Sequence, residues 1–302
     1  MTPTEQPSMR PDYRLTQFYT ESEVSSVAAY SPIFEELHGL VNCYTKPQVV
    51  ARGGLKQILR VFDIKTGRNV AMAKLLVDAP QEMYEPFLRE ARLTALLEHP
   101  YIIAVHDIGV GKDGLPYFTM ELKSGDSLGE IIKQLSEGNA DYLARYDKRS
   151  LLVIFLKVCD AVAYAHSRHV LHLDLKPDNI QVGDFGEVIL CDWGLGEIVG
   201  YEAEGKFDEL LLNPDLLNNM ALSGTIRGTP GFMAPEQVDD LESTERTDIY
   251  ALGAILYTIL THHVPIDGNK EEIFEKTRKG EIQPPRVRFP MLEIPEALNA
   301  VA

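Results

Sequence analysis

The apolar pattern of this chain changes character once, and that change decides what it can fold into. Over residues 48–77, runs rich in Val, Ile and Leu are separated by the turn signals RGG and KTGRN, which reads as antiparallel strands. Residues 81–99 follow as a helix, with Phe87, Ala91, Leu93, Leu96 and Leu97 on its apolar side and Pro100 as its stop. Residues 102–110 and 117–122 read as two more strands around the turn GKDG. Beyond SGDSL the pattern is helical: residues 127–135, the strongly apolar stretch 149–169, and a helix that begins near Thr247 and contains 250–260. A small β-rich lobe therefore precedes a larger α-rich lobe, an α+β architecture with lobes at 46–122 and 123–302. Residues 1–45 form an extension. Its polar, Pro-containing start reads as disordered, whereas Ile33, Phe34, Leu37, Leu40 and Val41 have helical spacing.

Charge and cysteine usage narrow the class. With 29 Lys+Arg against 45 Asp+Glu, the net charge of −16 argues against a nucleic-acid partner and permits attraction to basic peptides. Cys43, Cys159 and Cys191 are far apart and in no metal-ligand spacing, which suggests a reducing, cytoplasmic setting without a disulfide framework. The start MTPTEQPSMRPDYR lacks the apolar centre of a signal peptide, and the apolar stretch 250–260 is too short to span a bilayer, so no membrane segment is expected.

The chemistry concentrates in HVLHLDLKPDNIQV, residues 169–182. Asp174, Lys176 and Asn179 stand among Val170, Leu171, Leu173, Leu175 and Ile180. Such a segment is pinned to a core while an acid, a base and an amide converge on one object. The surrounding order is equally informative. RGG lies between strands, Lys74 ends a strand, and Glu90 lies in the next helix. CDWG follows the strand pair in IQVGDFGEVIL, and GTPGFMAPE closes at Glu236.

This ordered series resembles the eukaryotic-like serine/threonine protein kinases found in bacteria, from about Val49 to the end of the chain. The resemblance implies a bilobal kinase fold that uses ATP and Mg²⁺ on a protein substrate. It implies that Lys74 holds the α- and β-phosphates and is itself held by Glu90. Asp174 would accept or orient the substrate hydroxyl proton, Lys176 would approach the γ-phosphate, and Asn179 and Asp192 would supply oxygen ligands to the metal. Gly53, Gly54, Ile58 and Met72 would cover the nucleotide. The adenine would hang from the backbone of Glu121 to Lys123 after Met120, with Asp126 or Ser127 near the ribose. Lys176 together with Thr229 matches the serine/threonine pattern. His166 and His172 match structural histidines, and Trp193 stands where the family has phenylalanine, as a core packer under the Glu90 helix.

Four departures qualify the match. Lys56 and Ala51 replace the outer glycines of the glycine-rich loop, and Lys56 either contributes a charge to the site or points to solvent. The strand reads VAMAK rather than VAIK, so Met72 shares a face with Lys74 unless a bulge restores Ala71 to the adenine. Leu173 occupies the place of the arginine that clamps an activation-segment phosphate, so activity is expected not to need such a clamp or the residues Ser223 and Thr225. In that segment, YEAEGKFDELLLNPDLLNNM reads as an acidic, apolar insertion. The match also stops where the family's last helices begin, which suggests the front piece of a longer protein and leaves Glu236 without the family's arginine partner. The main reading is an active serine/threonine kinase. The alternative is a pseudokinase that binds nucleotide or scaffolds, motivated by the weak glycine loop and Met72. A small-molecule kinase ranks third, because it has no use for an APE segment.

Overall fold

Asp63 starts the turn that joins two adjacent strands of the sheet. Its carboxylate accepts the Lys65 N–H at 3.0 Å and the Thr66 hydroxyl at 2.7 Å, and Gly67, at φ 67°, closes the turn onto the Asp63 carbonyl. This hairpin joins β2 (Lys56–Asp63) to β3 (Arg68–Leu75), and the two pair without a bulge along their whole length. In a computed structural model that describes residues 43–199 and 228–302, they sit within a five-stranded antiparallel sheet of order β1-β2-β3-β5-β4. The remaining strands are β1 (Tyr44–Arg52), β4 (Val105–Val110) and β5 (Pro116–Met120). The expected helix in 33–41 and the insertion 201–220 lie outside the described residues.

Helix α1 (Tyr84–Ala95) covers one face of the sheet, with Phe87 and Ala91 against Ala73, Leu75 and Phe118. The Phe87 and Phe118 rings lie 5.1 Å apart. The helix ends well before Pro100, because the chain is drawn into a bridge between the lobes. There the Ile103 N–H donates to the Leu190 carbonyl at 3.1 Å and the Leu190 N–H to Tyr101 at 2.8 Å. Residues 102–104 are therefore outside the strand expected for them.

After Met120 a short connection leads to β6 (Asp126–Ser127) and the helical lobe. Helix α2 (Leu128–Ser136) starts on the Ser127 hydroxyl, which accepts the Glu130 N–H, and α3 (Ala140–Arg145) starts on Asn139. Helix α4 (Lys148–Ser167) is capped by Asp147. Small strands follow: β7 (Val170–Leu171), β8 (Ile180–Val182), β9 (Val188–Leu190) and β10 (Glu197–Ile198). Helices α5 (Pro235–Val238), α6 (Glu245–Thr261), α7 (Lys270–Lys279), α8 (Pro285–Arg288) and α9 (Glu296–Val301) complete the described chain. The architecture is the expected bilobal α+β one.

Among the described residues α4 alone is long and apolar enough to cross a membrane. Its apolarity has a second explanation. Leu151, Ile154, Val158, Ala161, Val162 and Ala165 are buried in one core with Ala251, Ala254, Ile255 and Ile259 of α6. Ile255 is wholly buried there. Truncating it by Ile255→Ala leaves a cavity and should cost about 2–5 kcal/mol of stability, read from urea denaturation.

Candidate active site

The segment 169–182 is pinned as its pattern suggests. Leu171, Leu175 and Ile180 are buried, and strands β7 and β8 hold its two ends. The strongest anchor is a residue that the motif reading passed over. Asp248, buried in the first turn of α6, accepts the N–H of His172 and of Leu173, each at 2.9 Å. Its Oδ2 also meets His166 Nε2 at 2.9 Å. A carboxylate at a helix N-terminus is favoured by the backbone dipoles there. The sequence signal was an acid four residues after the N-cap Thr244, at the start of an otherwise apolar helix.

Leu173 is held in left-handed backbone conformation, φ 63°, which a leucine rarely adopts. The hydrogen bonds on both sides impose it: its N–H goes to Asp248, and its carbonyl accepts Gln237 Nε2 at 2.8 Å. Its side chain is buried. His172 is fully buried, with Nε2 at 3.2 Å from the Cys191 carbonyl and Nδ1 accepting the Asp174 N–H at 3.3 Å. This places the proton on Nε2 of a neutral ring. Burial holds the His172 pKa below its ordinary value, against the pull of Asp248, Asp174 and Asp192. The expected structural roles of His166 and His172 agree with this geometry. Trp193 is likewise buried, its ring 4.5 Å from that of His172.

Asp174 is held from three directions. Its Oδ2 accepts Lys176 Nζ at 2.7 Å, its Oδ1 accepts the Thr229 hydroxyl at 2.8 Å, and its carbonyl accepts Asn179 Nδ2 at 2.9 Å. Lys176 Nζ also donates to the Thr229 oxygen at 2.8 Å, which closes a triangle. Asn179 directs its amide protons to Asp174, so its Oδ1 is the atom it can offer a cation. The Cys191 N–H donates to the Asn179 carbonyl at 2.8 Å, which sets Asn179 beside the start of the CDWG turn. In that turn the left-handed residue is Asp192, φ 63°, rather than Gly194. A side chain on Gly194 would meet the Glu90 carboxylate at 3.3 Å, so that glycine makes room for Glu90. Burial opposes ionisation of Asp192, but the cations of Lys56 and Lys176 hold its pKa below the usual aspartate value.

Between the lobes lies a cleft of about 340 Å³. Val50, Ile58, Ala71, Ala73, Phe118 and Met120 form much of its wall, and Glu121, Leu122 and Lys123 line the connection between the lobes. Lys56, Glu90 and Asp192 form its polar end. An apolar slot ending in a cation and carboxylates has the chemistry to take a flat base and a metal-bound polyphosphate. Thus Ile58, Met120, Glu121 and Lys123 lie where the sequence suggests, and Ala71, Ala73 and Phe118 are additional walls. Gly53 and Gly54 form the β1–β2 turn outside the cleft lining, and neither has positive φ. Asp126 also lies outside it and accepts the Tyr142 hydroxyl at 2.7 Å, while Ser127 caps α2.

Lys74 and Met72 need correction. Met72 is buried with Leu59, Val61 and Val70, on the sheet face away from the cleft. Lys74 shares that face, and its Nζ is 2.6 Å from Asp113 Oδ2 in the β4–β5 turn, not at Glu90. The cause is alternation: with Ala71 facing the cleft, the next cleft-facing residue of β3 is Ala73. No bulge shifts the register, because Leu59 pairs with Met72 and Ile58 with Ala73 in an unbroken ladder. Glu90 instead receives Lys56, whose Nζ lies 2.7 and 2.8 Å from its two oxygens. Burial raises the Glu90 pKa and Lys56 counters it. Glu236 has a partner among the described residues, accepting the Thr247 hydroxyl at 2.7 Å.

Two lobes, an interlobe cleft and an aspartate–lysine–asparagine loop define a phosphotransferase site, and residues 44–296 match the model of the protein kinase domain. The chain belongs to the protein kinase family, whose members use ATP and Mg²⁺. It is 34% identical over 317 residues to the serine/threonine-protein kinase PknD of Protochlamydia amoebophila, covering 97% of this chain and 32% of that protein. It is 35% identical to PknD of Chlamydia trachomatis serovar D and 34% to that of Chlamydia felis, covering 86% and 84% of this chain. The chain spans only 29% and 28% of those two relatives.

The buried neutral His172 sets a pH dependence. An unfolded histidine takes up a proton near pH 6.5, whereas His172 resists it, so the unfolded state binds more protons below that pH. Stability should fall as pH drops from about 6.5 to 5. The fall should be shallower in His172→Gln, measured by thermal melts across that range.

Proposed function

We propose that this chain is the catalytic domain of an ATP-dependent protein kinase acting on serine and threonine hydroxyls. The contact triangle of Asp174, Lys176 and Thr229 carries the reading. ATP with Mg²⁺ supplies the transferable phosphoryl group and the cation that shields its charge. Asp174, oriented through both carboxylate oxygens, receives the acceptor's hydroxyl proton. Lys176 places its ammonium beside Asp174, where it offsets charge on the group in transit. Asn179 Oδ1 and the Asp192 carboxylate are the oxygens that would hold the metal. Thr229 ties the segment leading into α5 to the catalytic pair, which supports a peptide acceptor bearing an aliphatic hydroxyl. The names of the PknD relatives support the same choice. The net charge of −16 favours acceptors in basic sequence, and the free thiols of Cys43, Cys159 and Cys191 suit the cytoplasm.

Activity in this reading does not depend on a phosphate clamp beside Asp174. Leu173 has no charge to offer, and its backbone conformation is fixed by Asp248 and Gln237. Ser223 and Thr225 lie outside the described residues. Radiolabelled phosphate transfer to a basic protein should be lost in Asp174→Asn, by about a hundredfold or more. It should persist within about threefold in the Ser223→Ala, Thr225→Ala double variant, given that a phosphorylated residue acts through partners such as an arginine. Loss of transfer in a folded double variant contradicts the clamp-free reading.

One observation favours the rival reading of a nucleotide-binding scaffold: Ala73 stands on β3 where the cleft-facing cation of an active kinase is expected. Thermal shift with ATP and Mg²⁺, paired with the transfer assay, separates the two. Stabilisation without transfer by any substrate supports the scaffold.

A further inference from the structure

Two departures from the kinase pattern lie on the same face of one pair of strands. On β3 the cleft-facing position holds Ala73, a fully buried methyl group that cannot reach a phosphate. On β2 the end of the glycine-rich loop holds Lys56, a long cation where a glycine is expected. The ladder pairs Ile58 with Ala73 and Gln57 with Lys74. Directly opposed residues in an antiparallel pair share a face. Ile58 and Ala73 therefore line the cleft together, and Lys56, two residues before Ile58, joins them. Gln57 and Lys74 belong to the other face.

The contacts complete the substitution. Lys56 Nζ bridges the lobes' two acids, lying 2.7 and 2.8 Å from the oxygens of Glu90 and 3.5 Å from Asp192 Oδ1. Lys74 is occupied by Asp113 at 2.6 Å, away from the cleft. We propose that Lys56 is the residue that binds the nucleotide's phosphates and orders helix α1 through Glu90, the cation having moved from β3 to the adjacent strand β2. The weakened glycine loop and the missing β3 lysine are then one change: a side chain at position 56 is present because position 73 has none to offer. Lys56 thus enters the cleft from the strand that follows the glycine-rich turn.

This assignment rests on the kinase reading, and the test separates the two. The domain is prepared as wild type, Lys56→Met, Lys74→Met, and the double variant Lys56→Gly, Ala73→Lys. Equilibrium dissociation constants are measured for ATP with Mg²⁺ and for adenosine, alongside phosphate transfer. Adenosine lacks the phosphates, so it reports whether the cleft is intact. Lys56→Met should weaken ATP by about tenfold or more while adenosine binding stays within about twofold, as loss of a charged hydrogen bond requires. Transfer should fall by about a hundredfold. Lys74→Met should leave both constants and transfer within about twofold. The double variant, with the cation returned to β3, should recover ATP binding that Lys56→Met has lost. The proposal is overturned if Lys74→Met takes the phosphate-specific loss, if Lys56→Met leaves the ATP-to-adenosine ratio unchanged, or if the double variant binds adenosine but not ATP. Should Lys56→Met lose adenosine binding through misfolding, the Lys74→Met and double variants still decide. A wild type that shows the Lys56-dependent ratio but transfers no phosphate refutes the kinase reading and leaves the Lys56 assignment standing.

Discussion

A carboxylate under a β-sheet must be neutralised, and the identity of its partner fixes the geometry of everything around it. Glu90 is such a group: α1 packs its apolar side against the sheet and carries this acid to the lobe interface, where burial pushes its pKa up. A buried charge without a partner costs several kcal/mol, of order 3–5 when one member of a buried pair is removed. Lys56 supplies the partner, and burial's tendency to discharge this lysine is outweighed by Glu90 and Asp192. The ion pair therefore joins β2, α1 and the CDWG turn at one point. Gly194 leaves the room that the Glu90 carboxylate needs. The polar end of the cleft follows from these contacts rather than from any single motif.

The larger lobe solves a matching problem with one acid of its own. Asp248 gathers the backbone of His172 and Leu173 and the ring of His166, which holds the segment 169–182 on α6. His172 extends the same support outward, receiving the Asp174 N–H and donating to the Cys191 carbonyl. The loop that carries Asp174 and the turn that carries Asp192 are thus fixed to one imidazole. Thr229 adds the segment leading into α5 to this assembly through Asp174 and Lys176. Leu173 is compatible with all of it, because the contacts at its position are made by its backbone.

The lobes, the catalytic loop and the CDWG turn were legible because period and motif order are local properties of the chain. The Asp174, Lys176, Asn179 and Thr229 cluster followed from them. What escaped was a count of one residue. VAMAK carries a lysine near the expected place, and matching letters assigned it to Glu90. Alternation along β3 carried the contrary signal, since Lys74 shares a face with Val70 and Met72, whereas Ala71 and Ala73 share the other. Of the two fates open to Lys56, the charged contact is the one realised. Asp248 escaped for a different reason: its partners lie 75 and 76 residues earlier, and no local pattern reports a contact at that distance. Asp126, expected with Ser127 near the ribose, accepts the Tyr142 hydroxyl, a contact 16 residues away that no local motif reports.

The central claim is that Glu90 is coupled to Lys56 and not to Lys74. A double-mutant cycle measures this directly, with Glu90→Gln combined in turn with Lys56→Met and Lys74→Met and the stability of each variant taken from urea denaturation. The account predicts a coupling energy of about 1 kcal/mol or more between positions 56 and 90, and additivity within about 0.5 kcal/mol between 74 and 90. Additivity at 56 and 90 with coupling at 74 and 90 would contradict it.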